Sequence, residues 1–538
     1  MAQFITPQEA AALVNDNDSL VVEGFLLNAV PEQLIGALEK RFLDSGYPRD
    51  ITVLYSSSIG NGKGAGINRL GHEGLLKRVI GAHWNLAPTL GKMALENKIE
   101  AYNLPQGTLV HMFRDVAGGK VGTITHVGLK TFVDPRQQGG KVNPRTTEDL
   151  VEVINVAGTE QLFFKKLPMD ICFIRASYAD ELGNITMEKE GITLEVTSVA
   201  QALHNTGGKV VVQVGKKVKA GTLDPKLVKI PGIYVDYIVV VPEEEHMWEV
   251  TRERADAHCG AARMPMDALP PLSLNERKII ARRAAMELAP GAAVNLGIGV
   301  PEAIALVAAE EGISDFMTLT VESGPIGGIP AAVPIFGVSI NPLCIMDQPA
   351  QFDFYDGGGL DMAFLGLAEC DESGNLNVSR MGSRLAGCGG FINITQNSKR
   401  VFFCGTFTGK GLKTSISDGK LVIDQEGSLK KFLKEVQQIT FSGEYAVERG
   451  TPVLYITERA VFELHADGLH LVEIAPGIDV ERDILPNMDF MPIINGTPKL
   501  MDERIFRDEP MGLSGKKNIS ASPSRLPEAP QHAVGSAM

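Results

Sequence analysis

Glu322 stands in Val321-Glu322-Ser323-Gly324-Pro325-Ile326-Gly327-Gly328, directly after the apolar run 316–321. That run reads as a buried strand. A carboxylate at a strand exit, followed by Gly-Pro and Gly-Gly, is held on a rigid element beside backbone with little side-chain cover. Such a position suits a nucleophile that attacks a bulky substrate. Taken alone, the octet fits a solvated or capping glutamate at a strand-to-loop corner just as simply. Gly387-Cys388-Gly389-Gly390-Phe391 exposes closely spaced backbone N–H groups suited to an oxyanion. A tight turn before a strand explains it equally well. Cys388 has no histidine near it in sequence and reads as a packing residue.

Gly297-Ile298-Gly299 lies between a strand and a helix and resembles the start of a dinucleotide fingerprint. Glu322 then falls where a ribose-binding acid would sit. Glu302 occupies the third fingerprint position and departs from that pattern, leaving a generic helix-N-terminus site for an anion or acyl carrier. The glycine-rich stretches 60–66 and 406–411 lack the spacing of a phosphate loop and read as loops. His72, His83, His111 and His126 form no HxH or HxxxH pair, and Asp353, Asp356 and Asp361 read as strand-and-turn residues. No metal is expected.

An internal repeat places these residues on elements. Residues 169–185 align without gaps to residues 360–376, with Asp, Phe, Asp, Glu, Gly and Asn identical and a shift of 361 − 170 = 191. Each copy reads as a buried strand, an Asp-Glu-x-Gly-Asn turn and a second strand. Ile51-Thr52-Val53-Leu54-Tyr55-Ser56 pairs with the strand before Glu322 at a shift of 322 − 56 = 266, so Ser56 takes the place of the carboxylate. Val21-Val22-Glu23-Gly24 matches the strand ending at Gly297, and helices are expected over 32–42 and 302–311. This strand–helix rhythm predicts an α/β fold of two similar domains, each a mostly parallel sheet covered by helices.

The expected boundaries are a first domain over 1–242, a linker over 243–273, a second domain carrying Glu322 over 274–510, and a disordered tail over 511–538. A capping box at Ser273-Leu274-Asn275-Glu276 should open a helix running to Leu288. The chain has 538 residues and a net charge of −14, with no Lys/Arg run, which argues against a nucleic-acid partner. No apolar stretch approaches the ~20 residues of a membrane span. The start lacks a signal-peptide pattern, and six scattered cysteines without a CxxC pair fit a reducing cytoplasm.

Together these segments resemble a family I coenzyme A transferase, more narrowly the fused single-chain acetate/propionate CoA-transferases. The resemblance runs from about residue 2 to residue 510. It rests on Asn103-Leu104-Pro105-Gln106-Gly107, Thr131-Phe132-Val133-Asp134-Pro135-Arg136, 294–302, Glu322-Ser323-Gly324 and Gly387-x-Gly389-Gly390-Phe391, in that order. It implies Glu322 as nucleophile, Gln106 and the Gly389/Gly390 turn as oxyanion donors, and a catalytic site between the domains. Gly297, Gly299, Gly324, Gly327 and Gly328 are the expected substrate contacts. Where the family often has Asp in the strand after the glycine turn, this chain has Asn393. The implied reaction moves CoA between a short-chain acyl-CoA and a free carboxylate through an acyl-glutamyl anhydride and a glutamyl-CoA thioester. CoA and acyl-CoA are substrates, no permanent cofactor or metal is needed, and a homo-oligomer (dimer or tetramer) is implied. The residues alone leave room for a thioester hydrolase, a dinucleotide-dependent oxidoreductase or a non-catalytic acyl-CoA sensor.

Overall fold

The computed structural model describes residues 2–246, 252–265 and 272–518. Five apolar runs in each half form a parallel sheet centre. In the first half these are β1 (Ser19–Val22), β2 (Ile51–Tyr55), β3 (Ile171–Asp180), β4 (Lys209–Val218) and β5 (Tyr237–Val240). In the second they are β6 (Ala292–Leu296), β7 (Met317–Thr320), β8 (Met362–Gly366), β9 (Val401–Cys404) and β10 (Val453–Ile456). Their orders are β5-β4-β3-β1-β2 and β10-β9-β8-β6-β7, with every neighbouring pair parallel. Continuous apolar strands are what a sheet covered on both faces requires. The flanks differ. Beyond β2 the first sheet continues parallel with Leu76–Gly81 and Glu100–Asn103. Beyond β7 the second turns antiparallel with Pro325–Ile326 and Cys344–Ile345.

The repeat has a local cause. Asp170 accepts from Ser19 N–H at 2.8 Å, and Asp361 accepts from Ala293 N–H at 2.9 Å, each tying the start of one strand to its neighbour. In the two turns Asp180 caps the N–H groups of Leu182 and Asn184, and Asp371 those of Ser373 and Asn375. Asn184 and Asn375 then accept from Gly232 and Gly443 N–H at 3.0 and 2.9 Å. The two aspartates and the asparagine of each copy, three of its identical residues, are therefore kept by their hydrogen bonds. Strand pairing sets Leu20 level with Ile171 and Val294 level with Met362. By that register Val21 corresponds to Asn295 and Glu23, not Gly24, to Gly297.

Four helices position the site: α1 (Gln106–Ala117), α2 (Val196–Thr206), α3 (Gln348–Asp356) and α4 (Phe391–Asn397). The last corrects an expectation, since Asn393 lies in a helix and not in a strand. Its side chains bond back along the helix, Thr395 Oγ1 to Phe391 O at 2.8 Å and Ser398 Oγ to Ile394 O at 2.7 Å. Full burial overrides the strand preference of Ile392, Ile394 and Thr395. The halves share a core, because Phe336, Cys388 and Ile392 pack into the first half's apolar cluster.

Other boundaries shift. The two early helices span Glu32–Ser45 and Ala303–Glu310. Asn275, not Ser273, caps the helix Glu276–Ala285, accepting from Lys278 N–H at 3.1 Å. The linker holds helices Glu243–His246 and Arg252–His258, with parts of 243–273 outside the described residues. Residues just past 510 pack onto the second half. Met511 and Leu513 are buried, and their N–H groups bond Glu311. A short helical turn covers Leu513–Asn518, and the remainder of the expected tail lies outside the described residues. No described helix is long and apolar enough to cross a membrane.

Candidate active site

β7 delivers Glu322 to the edge of the interface between the halves. The turn behind it is closed by Val321 N–H to Pro325 O at 2.9 Å and Gly324 N–H to Val321 O at 3.0 Å. Gly324 has φ +128°, and a Cβ there would lie 2.2 Å from Met346 O, so only glycine fits. Ser323 Oγ donates to Gly337 O. Beneath the carboxylate, Tyr355 donates to Thr320 Oγ1 at 2.8 Å. Asn295 Nδ2 donates to Thr320 O at 3.2 Å, and Gln351 Nε2 to Val321 O at 3.3 Å. Sequence reasoning missed Asn295, Gln351 and Tyr355. Asn295, a polar residue inside an apolar strand just before Gly297, was the available signal.

Glu322 is half-buried. Desolvation pushes its carboxyl up to about 7, against smaller stabilisation of the anion by its own backbone N–H and by Asn295. It faces a cavity of about 340 Å³ built from both halves, with Gln106, Gly297, Gly389 and Gly390 among the lining residues. Roomier clefts, of about 1000, 820 and 430 Å³, contain none of these residues.

The glycine turn is clamped from the first half. Gly389 N–H donates to Ala82 O at 2.8 Å, Trp84 N–H to Ala386 O at 2.7 Å and Cys388 N–H to Asn103 Oδ1 at 3.0 Å. Gly387 has φ +78°, and a Cβ there would sit 2.6 Å from Ala82 O. These bonds separate the two candidate glycines. The Gly389 N–H is occupied, whereas the Gly390 N–H bonds no other described residue. A Cβ on Gly390 would lie 3.5 Å from Glu322 Cγ. Gln106 resolves similarly. Its backbone N–H donates to Gly389 O at 3.0 Å, and its side-chain Nε2 is buried without a partner. Of the oxyanion candidates, the open donors are thus the Gly390 N–H and Gln106 Nε2. Next to Gln106, Gly107 N–H donates to Asn393 Oδ1 at 3.1 Å, and Asn393 Nδ2 donates to Asp356 at 2.9 Å.

The other candidates separate from the cavity. Gly299 is exposed and its carbonyl accepts from Arg277 at 2.9 Å. Gly324, Gly327 and Gly328 pack against 340–346 and do not line the cavity. The loop 60–66 turns the N–H groups of Lys63, Gly64 and Ala65 onto Asn61 Oδ1. Cys388 is buried beside the cavity with its thiol pushed far up by desolvation, so it stays a neutral packing group. Asp353 pairs with Arg114, Asp356 accepts from Asn393, and Asp361 pairs with Lys399. No cluster of metal-ligand residues occurs among the described residues. His83, weighed from sequence only as a metal ligand, and Ser58, not singled out there, line the cavity.

A fold of two like parallel-sheet domains, meeting around a strand-end glutamate, agrees with the comparisons. The chain belongs to the coenzyme A transferase family, whose model (Coenzyme A transferase) matches residues 4–241. It is 46% identical over 519 residues to caffeate CoA-transferase of Acetobacterium woodii, covering 95% of this chain and 99% of that protein. It is also 46% identical over 515 residues to acetate CoA-transferase YdiF of Escherichia coli K12, covering 95% and 96%. The crystal structure of acyl-CoA transferase YdiF from E. coli O157:H7, solved as a thioester complex with CoA, superposes with a TM-score of 0.89 at 45% identity, covering 95% and 97%. The chain is therefore a CoA-transferase, with acyl-CoA and CoA as substrates, and the dinucleotide reading of Gly297 to Gly299 falls away.

Proposed function

We propose that this protein exchanges CoA between a short-chain acyl-CoA and a free monocarboxylic acid by a ping-pong mechanism on Glu322. The observation that carries the reading is the shared cavity: a desolvated carboxylate faces two open backbone and amide donors, Gly390 N–H and Gln106 Nε2. Burial makes the carboxylate more basic and strips its water, and both raise its nucleophilicity.

The ionised Glu322 oxygen attacks the thioester carbonyl. The C–S bond breaks, CoA leaves as thiolate, and an acyl-glutamyl anhydride remains. The thiolate attacks the glutamyl carbonyl, the first acid departs as its carboxylate, and a glutamyl-CoA thioester is left. The acceptor acid reverses both steps, and thioester energy is conserved throughout. Each tetrahedral intermediate carries an oxyanion, and one well-placed donor is worth about 3–4 kcal/mol there. The apolar wall of Phe25, Leu26, Val333 and Phe336 limits water, which would hydrolyse either intermediate.

The test is intact mass and peptide mapping after mixing with acetyl-CoA. A CoA-sized adduct on the Glu322 peptide, discharged by acetate, is the expected result. Bound but unreacted thioester across a panel of acyl-CoAs would overturn it.

A further inference from the structure

The acceptor acid must be held as a carboxylate beside a nucleophile that is itself a carboxylate. No Lys or Arg is among the described residues lining the cavity. A fixed cation there would bind the acid firmly, but it would also quench its nucleophilicity and pull the Glu322 carboxyl back down. The alternative is a neutral donor, whose hydrogen bond to an anion remains stronger than one between neutral groups.

His83 meets the requirement. It lines the cavity with Glu322, Gln106 and Gly390. The bonds between 82–85 and 386–389 fix its backbone. A Cβ on Gly389 would lie 3.6 Å from His83 Cδ2, so the ring edge that carries Nε2 abuts the glycine turn. Nδ1 is 2.8 Å from Ser58 Oγ. Ser58 is buried, and its hydroxyl has no other hydrogen-bond partner among the described residues. With Nδ1 as its one acceptor among the described residues, the hydroxyl proton is assigned to Nδ1, which places the ring proton on Nε2. Nε2 bonds no described residue. Burial, then the charge of Arg384, push the imidazole down to about 4, so the ring is neutral at working pH. Arg384 itself bonds Asn85 Oδ1 at 2.6 Å and is not among the described residues lining the cavity.

We infer that His83, oriented by Ser58, docks the free carboxylate of the acceptor acid through a neutral Nε2–H, beside the Gly390 and Gln106 donors that serve the oxyanion. This inference rests on the ping-pong reading above. The donor holds the acid without neutralising it, and it receives the first acid when that leaves the anhydride.

The experiment compares wild type, His83→Phe, His83→Gln and Ser58→Ala. It measures the KM for acetate and propionate as acceptors, the Kd for CoA, and the mass of the protein after mixing with acetyl-CoA. For His83→Phe the acid KM should rise about 10- to 100-fold, the loss of a hydrogen bond to an anion, with CoA affinity unchanged and the adduct still formed. His83→Gln keeps an N–H near the Nε2 position and should recover most of the loss. Ser58→Ala should show a smaller rise. An unchanged acid KM in His83→Phe overturns the inference, as does a parallel loss of CoA affinity, which would mean the glycine turn had moved. If His83→Phe does not fold, a Ser58→Ala acid KM equal to wild type overturns it. Absence of the adduct in wild type would sink the ping-pong reading instead.

Discussion

The two halves place a carboxylate at the same corner from opposite sides. In the second half Glu322 follows β7, and the helix it faces, α4, has Gly390 at its N-cap. In the first half Ser56 follows β2, and the matching helix, α2, has Glu195 at its N-cap. Ser56 Oγ donates to Glu195. Desolvation pushes Glu195 up to about 7, as it does Glu322. Glu23 packs nearby, raised well above its usual range first by burial and then by Glu195. The electrostatics are alike, but access is not. Ser56, Glu195 and Glu23 are buried, and none of them lines the cavity, whereas Glu322 has one wall of it and an open N–H opposite. A strongly shifted carboxylate alone does not make a site. On the reading proposed above, the side-chain-free helix N-cap is what lets Glu322 act as a nucleophile with an oxyanion donor opposite.

The largest expected effect breaks that asymmetry at its centre. Glu322→Asp withdraws the nucleophile by one methylene and should cost roughly 10²–10⁴-fold in turnover, with the CoA adduct lost on the same scale. Glu195→Asp, the same change in the mirrored corner, should leave turnover within a few-fold. Equal losses at both would show that the corners are functionally coupled. Gln106→Leu comes next. It removes one donor at similar volume and should cost about 10²-fold in kcat with little change in the Kd for CoA. A kcat within twofold of wild type would leave Gly390 as the oxyanion donor without Gln106.

The repeat and the glutamate proposed as nucleophile were legible because short sequence patterns mark both. Asp170 and Asp361, Asp180 and Asp371, and Asn184 and Asn375 recur because each bonds backbone: in the adjacent strand, in its own turn, or at the start of a helical segment packed on that turn. Strand, charge and glycines mark Glu322 as a candidate in eight residues, and the resemblance to the family is what selects it over a capping glutamate. The remainder is set by partners far apart in sequence. Asn103, which fixes Cys388, is 285 residues from it, and the pairing that carries His83 to the glycine turn spans the two halves. The choice between Gly389 and Gly390 also depended on one such bond, from Gly389 to Ala82. Helix α4 was misread for a different reason: its β-branched residues favour a strand, and burial between the halves decides otherwise.

Stability against pH sharpens the comparison. A carboxyl raised from 4.5 unfolded to about 7 folded holds its proton longer in the native state. Native stability therefore falls as pH rises from about 4.5 to 7, and the penalty is complete above 7. Glu322→Gln and Glu195→Gln should each gain roughly 1–3 kcal/mol at pH 8 and nothing at pH 4, by thermal or denaturant unfolding. Cavity water puts Glu322 at the lower end. The two variants then part: the first loses turnover and the second keeps it. A gain at pH 4 equal to that at pH 8 would mean that neither carboxyl is shifted. Mass must confirm that the Glu322→Gln variant has not deamidated back to the acid before assay. The same ionisation predicts that wild-type kcat/KM for acyl-CoA falls tenfold per pH unit below about 7.

The smallest effect concerns Asn393, which ties α4 to α1 beside the donors. Its Oδ1 accepts from Gly107 N–H and its Nδ2 donates to Asp356, whose carboxyl is raised by desolvation. Asn393→Asp keeps the acceptor and removes the donor, leaving two carboxyl groups in contact about 3 Å apart. At pH 5 one of them can hold a proton and restore the bond. At pH 8 neither is favoured to, so the variant should lose about 1 kcal/mol more stability there. Because Gly107 N–H still has its partner, kcat should fall only a few-fold. A pH-independent loss would show that Asp356 is already neutral through another contact. A loss of activity as deep as that of Gln106→Leu would mean that α4 sets the donor through Asn393, and not through Gly389 O.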